Sequence, residues 1–253
     1  LFLFVLFNSI SKTYAVDCSP SSGSFFSISA SCDLNTTASK LFLESNPEDL
    51  ELNINANVTG SAYESVLIDI TSILGTNAIN VGSGVTISTT GYKNNSAHNI
   101  FKFRGSADFS LTNYGTLYGA YYSSIQSYGK DAAVIVLQNG ASVSLIDNYG
   151  SITHETGWGV RNFQGAIGTI LNQSGATLNG IVNLTPQTGT NTITKIHNIG
   201  TIGVNNYSGT NSYNLAAIYN KLNATIGTLR NEGSIIGNPG GSQYKDAIRN
   251  ESG

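Results

Sequence analysis

The stretch I-G-T-L-R-N-E-G-S-I-I-G at residues 226–237 sets the reading of the whole chain. Leu229, Asn231, Gly233, Ile235 and Gly237 share one parity, so an extended backbone points all five to one face. A half-buried strand keeps such a row apolar. Asn and Gly in the middle of the row mark a strand that turns a corner and carries on. Related phrases stand at residues 111–119 (L-T-N-Y-G-T-L-Y-G), 146–152 (I-D-N-Y-G-S-I), 171–180 (L-N-Q-S-G-A-T-L-N-G) and 196–203 (I-H-N-I-G-T-I-G).

The corner asparagines are Asn113, Asn148, Asn172, Asn198 and Asn231, with gaps of 35, 24, 26 and 33 residues. A unit of 23 to 26 residues with loop insertions fits these gaps. A second landmark precedes three of the corners: Asn139, Asn162 and Asn220, the last two within G-V-R-N and A-I-Y-N, with A-I-R-N again at residues 247–250. Each unit therefore holds two or three short strands separated by amide or glycine corners. Such a unit cannot bury its apolar face alone and must stack on copies of itself. The expected fold is an all-β solenoid, a single-stranded parallel β-helix. Like residues then recur at about 4.8 Å, so corner asparagines can pass amide hydrogen bonds from coil to coil. Asn is also expected there because it tolerates a left-handed backbone corner.

Charged residues make up only 11% of the chain, so its surface is carried by Asn, Ser, Thr, Gly and Tyr. Apolar residues reach 40% and are regularly placed, which excludes disorder. A net charge of −3 gives no basic footprint, and no nucleic-acid partner is expected. Residues 1–7, L-F-L-F-V-L-F, read as the remnant of a signal-peptide apolar core, with small residues placed for cleavage after Ala15. Cys18 and Cys32, the only cysteines, follow that export signal and read as a disulfide. The three histidines are scattered, so no metal and no cofactor is expected.

Three segments follow: a signal remnant at 1–15, an N-terminal cap with irregular coils at 16–99, and a repetitive β-helix at 100–253 that stops within a unit, as a fragment of a longer protein does. Leu50, Leu52, Ile54, Ala56 and Val58 alternate like a strand, yet the cap region lacks the Asn-x-Gly phrase. A Tyr-rich insertion at residues 114–128 carries Tyr118, Tyr121, Tyr122 and Tyr128, and a second loop spans 203–214. Outward tyrosines are candidate stacking platforms for sugar rings or a host protein, or a stack of rings covering one outer face. The sole tryptophan, Trp158, lies in H-E-T-G-W-G-V-R with His154, Glu155 and Arg161, the richest polar cluster. An acid, an imidazole and an aromatic platform could bind or cleave a glycan. No serine-protease phrase and no nucleophile elbow occurs, and no catalytic residue is assigned. The regular Thr-x-Thr array of an ice-binding solenoid is not read either, since Thr86 and Thr201 sit in different contexts.

The signal remnant, the early cysteine pair and the repeats A-I-x-N and I-G-x-L-x-N-x-G-x-I-x-G, clearest at 217–237 and 247–253, resemble passenger regions of monomeric autotransporters of Gram-negative bacteria. The resemblance implies a right-handed β-helix, secreted or shown at the cell surface, exported by a C-terminal outer-membrane β-barrel. It further implies a non-enzymatic stalk or adhesin with a host protein or glycan as partner; the alternative is a β-helical polysaccharide lyase or hydrolase.

Overall fold

The computed structural model describes residues 16–18, 25–28, 31–43, 49–60, 66–71, 75–89, 99–105, 108–120, 132–155, 157–185, 191–203, 216–237 and 246–251. These form a parallel β-helix of three sheets. The first sheet stacks β1 (Val16–Asp17), β3 (Cys32–Leu34), β5 (Glu51–Ile54), β8 (Thr76–Val81), β11 (Asp108–Asn113), β14 (Ala141–Asn148), β17 (Gly165–Asn172), β20 (Thr192–Asn198) and β23 (Thr225–Asn231). The second stacks β6 (Val58–Gly60), β9 (Thr86–Thr89), β12 (Thr116–Gly119), β15 (Ser151–His154), β18 (Thr177–Asn179), β21 (Thr201–Gly203) and β24 (Ser234–Ile236). The third stacks β2 (Phe25–Ile28), β4 (Lys40–Leu43), β7 (Val66–Thr71), β10 (Asn99–Arg104), β13 (Ala133–Gln138), β16 (Trp158–Phe163), β19 (Ile181–Leu184), β22 (Ile218–Lys221) and β25 (Ile248–Glu251). From β5 onward each coil visits the first, second and third sheet in turn.

Register makes the core a set of columns. Cys32, Leu52, Ile79, Leu111, Ile146, Ile170, Ile196 and Leu229 lie one above the next through the first sheet. All but Leu229 in that column are buried, and one apolar cluster takes in residues of all three sheets. Fully burying one such Ile or Leu is worth about 1.5–3 kcal/mol, so stacking supplies what no single coil could. Cys18 is bonded to Cys32, with Cα atoms 5.1 Å apart, at the foot of this column. In the chain-entropy model that loop contributes about 3 kcal/mol.

The corner asparagines form a continuous interior chain. Asn113, Asn148 and Asn172 each donate Nδ2 to the Oδ1 of the next, at 2.8 Å, and Asn198 does the same to Asn231. The second Nδ2 hydrogen goes to a backbone carbonyl one coil up: Thr177 for Asn148, Thr201 for Asn172 and Ser234 for Asn198. Asn148, Asn172 and Asn198, all fully buried, thus use both amide hydrogens and accept at Oδ1, which removes the cost of burying a bare amide.

A second buried column runs where the third sheet meets the first. Asn162 donates to Asn183, Asn183 to Asn220 and Asn220 to Asn250, at 2.9, 3.0 and 3.0 Å. Asn139 does not belong to it. Leu137 is the register partner of Asn162, whereas Asn139 turns the chain with φ 54° beside Gly140. Asn162 therefore stands above a side chain with no donor, and its Oδ1 accepts no hydrogen bond.

The corner geometry also differs from expectation. None of the five first-column asparagines has a positive φ; the left-handed residues sit at other turns, among them Asn139, Gln164 and Asn223. The glycine two residues after the corner Asn, present at four of the five corners, serves close approach. A Cβ on Gly150 would lie 2.0 Å from the Gly115 carbonyl oxygen, and one on Gly233 equally close to that of Gly200. The backbones of successive coils touch there, and only a residue without a side chain fits.

At residues 31–89 the described strands continue the same sheets in register, with Leu34, Ile54 and Val81 occupying the positions that Asn113 and Asn148 hold above them. Apolar side chains replace the amide at that corner, which is why the Asn-x-Gly phrase is missing. Parity breaks once in the first sheet: a bulge at Ser144 adds an outward residue from β14 upward, so Ile226 faces the core together with Leu229 at a spacing of three.

Candidate functional site

Three edges run along the rod, and they are not equivalent. Connections from the first to the second sheet take at most four residues, as at 82–85 and 173–176. The four longest connections, 90–98, 120–132, 204–217 and 237–247, all join the second sheet to the third. The Tyr-rich insertion and the loop at 203–214 therefore both begin and end at one edge of the rod, where added length leaves the stacked strands in register. Tyr121, Tyr122 and Tyr128 lie outside the described residues, as do residues 1–15. Tyr118 stands on β12, 38% exposed, with Thr153 as its register partner. Partial burial, and then the neighbouring Glu155 carboxylate, hold its phenol above the usual range.

The polar cluster of residues 154–161 comes apart in three dimensions. His154 ends β15 pointing inward, fully buried over Gly119, where any Cβ would strike its ring; its Nδ1 accepts the Gly157 N–H at 2.8 Å. Glu155 lies at the surface next in sequence. The imidazole is thus enclosed in the wall while the carboxylate beside it is exposed. Trp158 is no surface platform either. It is 3% exposed, although Gly159 turns inward against Leu178 and sends the indole to the outer side of the third sheet. There it packs with Ala133, Val136, Val182, Ala216 and Tyr219 in a second apolar cluster. Arg161 lies on Phe163, 4.8 Å from the ring centre.

Two features were missed in the sequence. Thr86, Thr116, Ser151, Thr177, Thr201 and Ser234 form one column of hydroxyl residues on the second sheet. Thr86 and Thr201 thus share a context that insertions hide in the sequence. The column stays single: its neighbours two residues on are Ser88, Tyr118, Thr153, Asn179, Gly203 and Ile236, too mixed for a flat threonine array. The second is an aromatic pair on the edge between the first and second sheets, across the second sheet from the long loops. Tyr114 and Tyr149 each follow a corner asparagine, and their rings stack at 4.6 Å and 17° while remaining 49% and 44% exposed. The repeated N-Y-G at 113–115 and 148–150 was the signal for it. The Asp147 carboxylate beside Tyr149 is the main cause that holds its phenol above the ordinary value.

Among the described residues, no group of three or more His, Cys, Asp or Glu is gathered to hold a metal. No protein-family model matches the chain, nor does any curated protein or solved structure.

Proposed function

We propose that this chain is a non-enzymatic rod, a passenger segment of a monomeric autotransporter, secreted or displayed at a bacterial cell surface and carried there by an outer-membrane β-barrel. The observation that supports this reading is the division of labour around the coil. Two edges carry amide columns in the upper coils, and the third gathers the four longest connections between the described strands. A rigid spacer with contact loops along one edge suits adhesion to a host protein or glycan. It also suits export as an extended chain, because the one disulfide closes only a short loop at the N-terminal end. The test is to join the chain to an outer-membrane β-barrel in a Gram-negative host. Displaying cells are then washed over surfaces coated with mucin, fibronectin or collagen. Retention on one coating that disappears when residues 121–131 and 204–215 are excised supports the proposal. Retention on none of them, or retention that survives excision, contradicts it.

A further inference from the structure

The edge between the first and second sheets carries an outward column of its own. Each residue following the corner position donates its N–H to the corner carbonyl of the coil below, so Asn55, Gly82, Tyr114, Tyr149 and Gln173 stand one above the next. Asn55 donates to Asn35 at 3.1 Å, and Gln173 reaches back to Asp147 at 2.8 Å. Between these amide segments the two tyrosines stack on each other. Tyr149 covers one face of the Tyr114 ring, while the position beneath Tyr114 is Gly82, which has no side chain to cover the other face. The Asn55 side-chain oxygen turns into that gap, 3.3 Å from where a Cβ on Gly82 would stand.

From this arrangement we infer a saccharide-binding subsite on the lower face of Tyr114, with Gly82 as its floor and Asn55 as its hydrogen-bonding wall. From Asn55 to Tyr114 is two coil spacings, about 9.6 Å at about 4.8 Å each. With the Asn55 oxygen risen to the level of Gly82, about one coil spacing remains below Tyr114, which takes one sugar ring lying against the aromatic face with an edge hydroxyl meeting the amide. Thr116, two residues beyond Tyr114 on the second sheet, continues the polar border. Tyr149 is a positioning residue that fixes the plane of Tyr114 by stacking at its back. The ligand class follows from size and charge. Two tyrosines bury at most about 500 Å², well below the roughly 800 Å² per partner of a stable protein interface. The nearby Asp147 and the net charge of −3 disfavour an anionic glycan, so the occupant is a neutral sugar unit. This subsite lies on the edge without long loops and does not depend on how the chain reaches a surface.

The test uses the whole chain titrated calorimetrically with neutral hexasaccharides of glucose, N-acetylglucosamine, xylose and mannose, and with a sulfated oligosaccharide as the charged comparison. At least one neutral hexasaccharide should bind. Its Kd should rise at least tenfold in Tyr114→Ala, rise less in Tyr149→Ala, and stay unchanged in Ile236→Ala, which removes an equally exposed side chain from the second sheet. Circular dichroism of each variant confirms that the coil is intact. Binding to none of the neutral sugars, preference for the sulfated one, or wild-type affinity in Tyr114→Ala overturns the inference.

Discussion

At the scale of residues, the argument turns on what a buried carboxamide must do. Asn172 accepts from Asn148, donates to Asn198 and donates again to the Thr201 carbonyl. Replacing it with Ala strips a donor from Asn198 and an acceptor from Asn148, and each buried orphan costs about 1–3 kcal/mol. Asn172→Ala should therefore lower stability by about 3 kcal/mol in urea unfolding, and Asn231→Ala, exposed at the last coil, by about 1 kcal/mol or less. Equal effects would count against an interior ladder. Glu232 provides a titrating contrast. Its carboxyl is held below the ordinary 4.5, first by the hydrogen bond from His197 and then by Arg230. A depressed carboxylate adds stability above its unfolded value and loses it as pH falls toward the folded one. Because Glu232 is exposed the contribution is small, and Glu232→Gln should flatten the acid limb of a melting-temperature profile without moving it near neutrality. The corner asparagines were legible in the sequence because polar residues broke an apolar row. Asn183 was not, since G-I-V-N at 180–183 carries no special residue besides the Asn itself. Nor was the misplacement of Asn139, which only the pairing of Leu137 with Asn162 exposes.

At the scale of elements, a coil is three short strands and three connections, and the connections have a known minimum. β18 passes to β19 through Gly180 alone, at φ 64°, and β15 to β16 through residues 155–157. The insertion at 121–131 is thus far longer than closure requires. Replacing it with Gly-Gly should leave the β circular-dichroism spectrum and the melting temperature nearly unchanged, since each doubling of loop length costs only about 0.6 kcal/mol. Loss of the spectrum would show that the insertion holds the coil together. The same insertions explain what the sequence concealed. They stretch the repeat unevenly, so the Thr and Ser residues of the second sheet fall at irregular intervals although they align in space. The fate of the His154 cluster was hidden for another reason: neighbours in a corner point to opposite sides of the wall, one into the core and the next into solvent.

At the scale of the molecule, stability comes from contact between successive coils, so the structure is quasi-one-dimensional. The apolar column from Cys32 to Leu229 joins the coils throughout, the two amide columns add attachments from Asn113 and from Asn162 upward, and the cysteine pair closes the lower end. The decisive question is whether residues far apart in sequence are nearest neighbours across coils. Ser151 and Thr177 are register partners on the outer face of the second sheet, and Thr201 stands one coil further. Adjacent strands lie about 4.8 Å apart, within the Cα range of about 4.4–6.8 Å that a disulfide tolerates. Oxidation of a Ser151→Cys, Thr177→Cys double variant, read by mass spectrometry of peptides, is the most direct measurement. The stacked coil predicts a quantitative bond between positions 151 and 177 and none in a Ser151→Cys, Thr201→Cys variant; failure of the first bond, or equal formation of both, would contradict it.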